Sequence, residues 1–254
     1  MFLLYLIPIH MAKHSKWHQI KRKKAVDDVK KGKVFTKHAK LICLAAKNGS
    51  DPSMNPGLRM AVDNARADNM PLDNVERAIK KGSGELKENV QIDEVIYEAF
   101  APGGVALYIQ TFTDNRNRTV ASLKTIIGRR GGTMAEKGSV GYLFEKKGYL
   151  VLEIPHKDQL DDLEMKIIDA GADDFEVVDD LIDVYVSPQN LFSVKQKLES
   201  EGVTVKSAEL TYLPLTHTPI EDEKLQQELE DMLEAIEEDD DVVQVFTNAY
   251  SSNL

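Results

Sequence analysis

The spacing of apolar residues changes once along this chain, near Val90, and that switch constrains the fold more than any other feature. Before it, apolar residues recur at helical spacing; after it, stretches of strict alternation appear between helical ones. A chain with that switch is neither a pure bundle nor a pure sandwich. The pattern predicts an α+β, multidomain protein.

The first zone reads as a small helical domain over residues 11–87. Val34, Phe35, His38, Leu41, Ile42 and Ala45 share one helical face, with Lys33, Lys37, Lys40 and Lys47 opposite and Leu44 interrupting the basic stripe. Gly49, Asp51 and Pro52 stop that helix. Leu58, Ala61, Val62 and Ala65 form the next apolar face. Pro71 suits the first turn of a third helix carried by Leu72, Val75 and Ile79, and Gly82 ends it.

From Val90 the chain alternates. Val95–Phe100 and Val105–Thr113 read as strands joined by a Pro102-Gly103-Gly104 turn. A helix follows with Val120, Leu123 and Ile127 inward, then a short strand at Ser139–Phe144 and a turn at Lys146-Lys147-Gly148. The next stretch reads βαββαβ: strand Tyr149–Ile154, helix Asp158–Ala170 (Leu160, Leu163, Ile167, Ile168), strands Phe175–Val178 and Leu181–Val186, helix Pro188–Glu201, strand Val203–Leu213. That is the order of a ferredoxin-like unit. An acidic helix (Leu225, Leu229, Leu233, Ile236) and a strand at Val242–Phe246 would complete the sheet begun at Val95. The expected organisation is therefore an N-terminal helical domain, a second α/β domain over 88–145 plus 214–254, and a ferredoxin-like third domain inserted in it over 146–213.

Charge is segregated in the same way. The 254 residues carry a formal net charge of -10. Yet Met11–Val90 holds 18 Lys+Arg against 9 Asp+Glu, and Met11–Lys47 holds 12 basic residues against Asp27 and Asp28 alone. A basic head on an acidic body suits a head that binds a polyanion while the body repels one. The lone Cys43 excludes a disulfide framework and a Cys-rich zinc site, and suits a reducing, cytoplasmic setting.

Met1–His10 (MFLLYLIPIH) is apolar but too short to span a bilayer and lacks the marks of a signal peptide, so no membrane partner is expected. Met11 opens the lysine-rich stretch, and the expectation is that translation starts there, with residues 1–10 an upstream extension.

The sequence carries no recognisable catalytic or cofactor motif. His14 and His18 stand four apart without a third ligand, among cations that would repel a metal. No nucleophile elbow, phosphate-binding glycine loop or dinucleotide fingerprint occurs. Cys43 reads as a packing thiol. Asp161-Asp162, Asp173-Asp174 and Asp239-Asp240-Asp241 read as solubility charges. The expectation is no enzyme, no metal and no cofactor.

Two stretches carry candidate binding chemistry. Lys13, His14, Lys16 and Trp17 lead into Lys21, Arg22, Lys23 and Lys24, followed by Lys30, Lys31, Lys33 and Lys37. The cations suit phosphates. Trp17 either stacks on a base or anchors the arm to the helical domain. In Thr113-Asp114-Asn115-Arg116-Asn117-Arg118-Thr119, Asp114 or Asn115 can cap a helix whose N-terminus is flanked by Arg116 and Arg118. That is either an anion pocket for a phosphate or a capped helix whose arginine holds a neighbouring loop.

Four segments then carry a resemblance: MAKHSKWHQIKRKKAVDDVKKGKVFTK from Met11, NPGLRMAVDNARADNMPLDNVERAIKKGSGE from Asn55, YEAFAPGGVALYIQTFTDNRNRT from Tyr97 and GGTMAEKGSVGYLFEKKG from Gly131. Together they resemble the YebC/PmpR family, which includes the mitochondrial translational activator of cytochrome c oxidase. The resemblance runs from Met11 to near the end. It implies a helical domain, an α/β domain and a third domain inserted in the second, with no enzymatic activity. It also implies a cytosolic nucleic-acid-binding regulator of gene expression. Some members are described as DNA-binding transcriptional regulators; others resemble ribosome-associated factors that relieve stalling, for example at proline runs, through ribosomal RNA. Phosphate contacts alone do not separate DNA from RNA, and no helix-turn-helix spacing or zinc module assigns a reading helix.

Overall fold

The computed structural model describes residues 29–86, 92–154 and 160–250. Residues 1–28, and with them the extension and the Lys13–Lys24 run, lie outside the described residues.

Three helices open the described chain: α1 (Val29–Ala46), α2 (Pro56–Ala67) and α3 (Leu72–Gly82). Asn55 caps α2, its side chain accepting the Leu58 N–H at 3.1 Å. Ile42, Ala46, Leu58, Val62, Ala65, Val75 and Ala78 form their common core. Leu72 is exposed rather than part of that core, because it sits at the rim in the first turn of α3. Gly82 does more than end the helix. A Cβ there would stand 2.1 Å from the Cys43 carbonyl oxygen, so glycine lets α3 approach α1.

The α/β domain is built on a hairpin of β1 (Asp93–Ala101) and β2 (Val105–Thr113), paired from Asp93↔Thr113 to Ala101↔Val105. Next come α4 (Arg116–Arg129) and β3 (Thr133–Ala135). After the insertion come β8 (Thr218–Pro219), α7 (Glu223–Glu237), β9 (Val242–Thr247) and β10 (Ala249–Tyr250). The sheet order is β3-β1-β2-β9, so the last strand does complete the sheet begun near Val95. α4 and α7 cover one face through Leu123, Ile127, Leu229, Met232, Leu233 and Ile236. Val120 is 38% exposed, because Thr119 takes the buried position in that turn.

The inserted unit runs β4 (Phe144–Glu153), α5 (Leu160–Ala170), β5 (Asp174–Val178), β6 (Leu181–Val186), α6 (Leu191–Ser200) and β7 (Val205–Pro214). Its antiparallel sheet has the order β5-β6-β4-β7, the ferredoxin-like arrangement. Leu150, Leu152, Leu163, Ile167, Ile182, Val184, Leu191 and Leu198 fill its core. Ile168 points outward, next to its buried neighbour Ile167.

Two local expectations are corrected. Lys146-Lys147-Gly148 is not a turn. It lies inside β4, with Lys146 opposite Tyr212 and Gly148 opposite Leu210. The glycine answers a close approach: a Cβ would stand 2.6 Å from Val186 Cγ2. Nor is Ser139–Phe144 a strand. Glu98 is buried and accepts the N–H groups of Gly138, Val140 and Gly141 at 2.8, 2.6 and 3.1 Å, which removes them from any ladder. Those bonds outweigh its burial and hold the carboxyl below its ordinary range. The strand begins only at Phe144.

The two sheets meet through aromatic rings. Tyr212 of β7 lies 4.8 Å from Tyr108 of β2 and 5.1 Å from Phe246 of β9, centroid to centroid. The helical domain docks on both sheets' domains. Asn64 of α2 donates to the Ala208 carbonyl at 2.7 Å and accepts its N–H at 3.2 Å. It thereby pairs the open edge of β7 as a further strand would.

Candidate nucleic-acid interface

The basic stripe of α1 faces the α/β domain. Lys33 Nζ is 3.4 Å from Glu238 Oε1. Lys40 donates to the Asp240 carbonyl and stands 3.7 Å from Asp241 Oδ1. Lys47 donates to the Ile92 carbonyl. Lys37 also has a partner. Through Lys33, Lys40 and Lys47 the stripe therefore docks the helical domain, with Lys33 and Lys47 remaining exposed. Lys30 and Lys31 lie in the first turn of α1, and their side chains fall outside the described residues. Lys13, His14, Lys16, Trp17, Lys21, Arg22, Lys23 and Lys24 fall outside them altogether.

At the second stretch, Asn115 is the cap, accepting the Arg118 N–H at 3.0 Å. Arg118 Nη2 donates to Asp114 at 2.7 Å and to both oxygens of Asp241, at 3.0 and 2.8 Å. Arg116 donates to Asp93 at 2.9 Å. The negative charge that this helix start attracts is thus supplied within the chain. Both guanidiniums keep an exposed side, at 65% and 54%.

Asp241 is the feature sequence reasoning missed. Its place in an acidic run suggests a solubility charge, but only 8% of it is exposed. Thr113 and Thr119 donate to its Oδ2 at 3.1 and 2.8 Å, beside Arg118 and Lys40. Burial pushes its carboxyl up, but the bonds from Arg118, Thr119 and Thr113 and the charge of Lys40 more than offset that, and the net direction is down. Lys40 goes the other way: burial lowers it more than Asp241, Asp240 and Asp239 raise it. Asp241 is thus held mainly by Arg118 and the hydroxyls, and Lys40 is the strained partner. A clue was present in the sequence, since Asp241 directly precedes the β9 run, where a side chain is carried into the sheet's rim.

Arg59 and Arg66 are a second feature that the sequence analysis does not single out. They line one cavity of about 320 Å³ with Pro52, Ser53, Val62 and Asp63. Their seven-residue spacing along α2 was the available signal. Cys43 is buried, and burial raises its thiol. Among the described residues, no group of three or more His, Cys, Asp or Glu is arranged to hold a metal. No described helix is long and apolar enough to cross a membrane.

This fold, three packed units with a ferredoxin-like insertion and an ionic seam, is that of a known class. The model of the TACO1/YebC protein N-terminal domain matches residues 15–85, and that of the TACO1/YebC second and third domain matches residues 92–249. The chain belongs to the TACO1/YebC family. A relative from Geobacillus thermodenitrificans is 43% identical over 240 residues, covering 94% of this chain and 96% of its own. One from Lactobacillus johnsonii is 44% identical over 241 residues, covering 94% and 98%. Both are named probable transcriptional regulatory protein. The crystal structure of a conserved hypothetical protein from Aquifex aeolicus is similar with a TM-score of 0.85 and 42% identity, over 92% of this chain and 96% of that one.

Proposed function

We propose that this protein is a cytoplasmic, non-enzymatic regulator of gene expression that binds nucleic acid, DNA in the first instance, through its basic N-terminal segment. The observation that carries this reading is the charge segregation: 12 cations against two acids over Met11–Lys47, on a chain of net charge -10. The names of the relatives support a transcriptional role. In this reading Lys13, Lys16, Lys21, Arg22, Lys23, Lys24, Lys30 and Lys31 meet phosphates, and His14 and Trp17 lie against sugar or base. Lys33 is tied first to Glu238 across the domain seam, Arg116 and Arg118 to acids of their own domain, and with Lys37 they offer only their exposed flanks.

The test replaces Lys21, Arg22, Lys23 and Lys24 by Gln, which removes charge at nearly constant helix propensity. Four lost phosphate contacts flatten the plot of log affinity against log salt by about 3.6 on duplex DNA and about 2.8 on single strands. Thermal stability stays the same. An unchanged slope on both duplex DNA and ribosomal RNA would remove the segment from the interface. Tighter binding to ribosomes than to DNA at matched salt would replace the transcriptional reading by a translational one.

A further inference from the structure

The helical domain carries a second group of cations, on α2. Arg59 and Arg66 are seven residues apart, two helical turns, so they leave the helix on one side. Both are exposed and line the same 320 Å³ cavity. On an isolated helix Asp63 would answer both, four residues after the one and three before the other. In the folded protein it is taken. Lys195 of α6, only 6% exposed, donates to Asp63 Oδ2 at 2.7 Å, with Glu199 a further 3.5 Å partner. A buried ammonium is costly unless paired, so the contact between the helical and ferredoxin-like domains claims the cavity's one carboxylate. Asp51, the nearest other acid in sequence, accepts the Ser53 N–H at 2.8 Å and does not line the cavity. Among the described residues, the side chains of Arg59 and Arg66 make no hydrogen bond or ion pair.

We propose that this cavity holds a backbone phosphate of the bound nucleic acid between Arg59 and Arg66. The proposal rests on the nucleic-acid reading above and adds a second anchor to it, on a capped helix instead of the lysine-rich run. Two guanidiniums without counter-charge present forked donors that match phosphate oxygens. The sequence from Met11 to Val90 is net positive, which favours a polymer with evenly spaced charge over an isolated anion.

The experiment compares the full chain, the Arg59→Gln/Arg66→Gln variant and the four-fold Gln variant of residues 21–24. Affinity for duplex DNA and for ribosomal RNA is titrated against salt. The arginine variant is expected to lose about 1.8 from the slope on duplex, with its melting temperature unchanged. Arg59→Lys/Arg66→Lys keeps the wild-type slope and binds several-fold more weakly, because it keeps the charge and loses the fork. Single variants, each losing about 0.9, carry the test should the double variant fail to fold. Salt-dependent binding by the wild type with an unchanged slope in the arginine variant overturns this proposal and leaves the proposed function standing. No salt-dependent binding by the wild type takes both down. Thermal stabilisation by inorganic phosphate above salt-matched chloride, lost in the variant while its slope on DNA is unchanged, overturns it in favour of a free anion.

Discussion

At the seam between the helical and α/β domains the buried partner is the acid; at the seam with the ferredoxin-like domain it is the lysine. Asp241 is 8% exposed and gathers Arg118, Thr113, Thr119 and Lys40. Lys195 is 6% exposed and reaches a half-exposed Asp63. The first arrangement uses up Lys40 of α1 and Arg118 of α4, because one carboxylate collects both. The second uses up an acid of α2 and so leaves two arginines without one. The same domain is therefore anchored twice, once by consuming positive charge and once by releasing it.

Breaking the first seam has the largest expected effect. Asp241→Ala removes the acceptor that Arg118, Lys40 and two buried hydroxyls share, leaving Arg118 to Asp114, Lys40 to the Asp240 carbonyl and Thr119 to the Asn115 carbonyl, and costs about 3 kcal/mol. Denaturant midpoints and a fall in melting temperature of roughly 6–12 °C check it. Asp241→Asn keeps some of the hydrogen bonds and costs less. Because the folded carboxyl lies below its ordinary value, its contribution is present above about pH 3.9 and is lost as pH falls through the folded value. The stability gap between wild type and Asp241→Asn therefore narrows below about pH 4. Glu98 shifts the same way and keeps an acid limb in both proteins.

The second seam is cheaper to break but changes binding as well. Lys195→Met removes a buried charge along with its partner's tie, at a cost of about 2 kcal/mol. It also frees Asp63 to turn toward Arg59 and Arg66 on its own helix. The salt slope on duplex DNA is then expected to flatten by less than one unit, the share of a single phosphate contact. Adding Asp63→Asn restores the slope without restoring the stability. A slope that stays at the wild-type value in Lys195→Met would show that Asp63 does not gate the arginines.

The comparison also marks what sequence could reveal. The switch of period near Val90, the βαββαβ order and the return of Val242–Phe246 to the first sheet were all legible, because apolar spacing reports which face is buried. Gly148 looks like a turn glycine and lies inside a strand, while Gly82 ends its helix as expected but has a second role. Both answer a close approach by a chain segment far away in sequence, Val186 and Cys43, which no local window contains. The site failed in the same manner. Lys33, Lys40 and Lys47 look like a free stripe until the fold brings Glu238, Asp240, Asp241 and the Ile92 carbonyl against them. Asp63 looks like the partner of Arg59 and Arg66 until Lys195 arrives from α6. Charge on a helix is read locally, but its counter-charge is set by the tertiary fold.

Lys40 gives the smallest effect and sharpens the comparison most. Its ammonium stands 3.7 Å from Asp241, farther than the arginine and both hydroxyls. Burial lowers its pKa despite three aspartates nearby, so its charge is less favourable in place than in water. Lys40→Met keeps the apolar stem and removes the desolvated charge, while Asp241 retains its other donors. The expected change in stability is within about 1 kcal/mol of zero, against about 3 for Asp241→Ala. A double-mutant cycle with Asp241→Asn should return a coupling below about 1 kcal/mol. The pH dependence carries a matching sign. With the folded value below the ordinary ~10.4, the unfolded chain holds a proton that the folded one has released, so wild type gains stability over Lys40→Met as pH rises through that window. A coupling near 3 kcal/mol, or a wild type that loses ground to Lys40→Met on alkalinisation, would make Lys40 a principal tie and erase the asymmetry between the two seams.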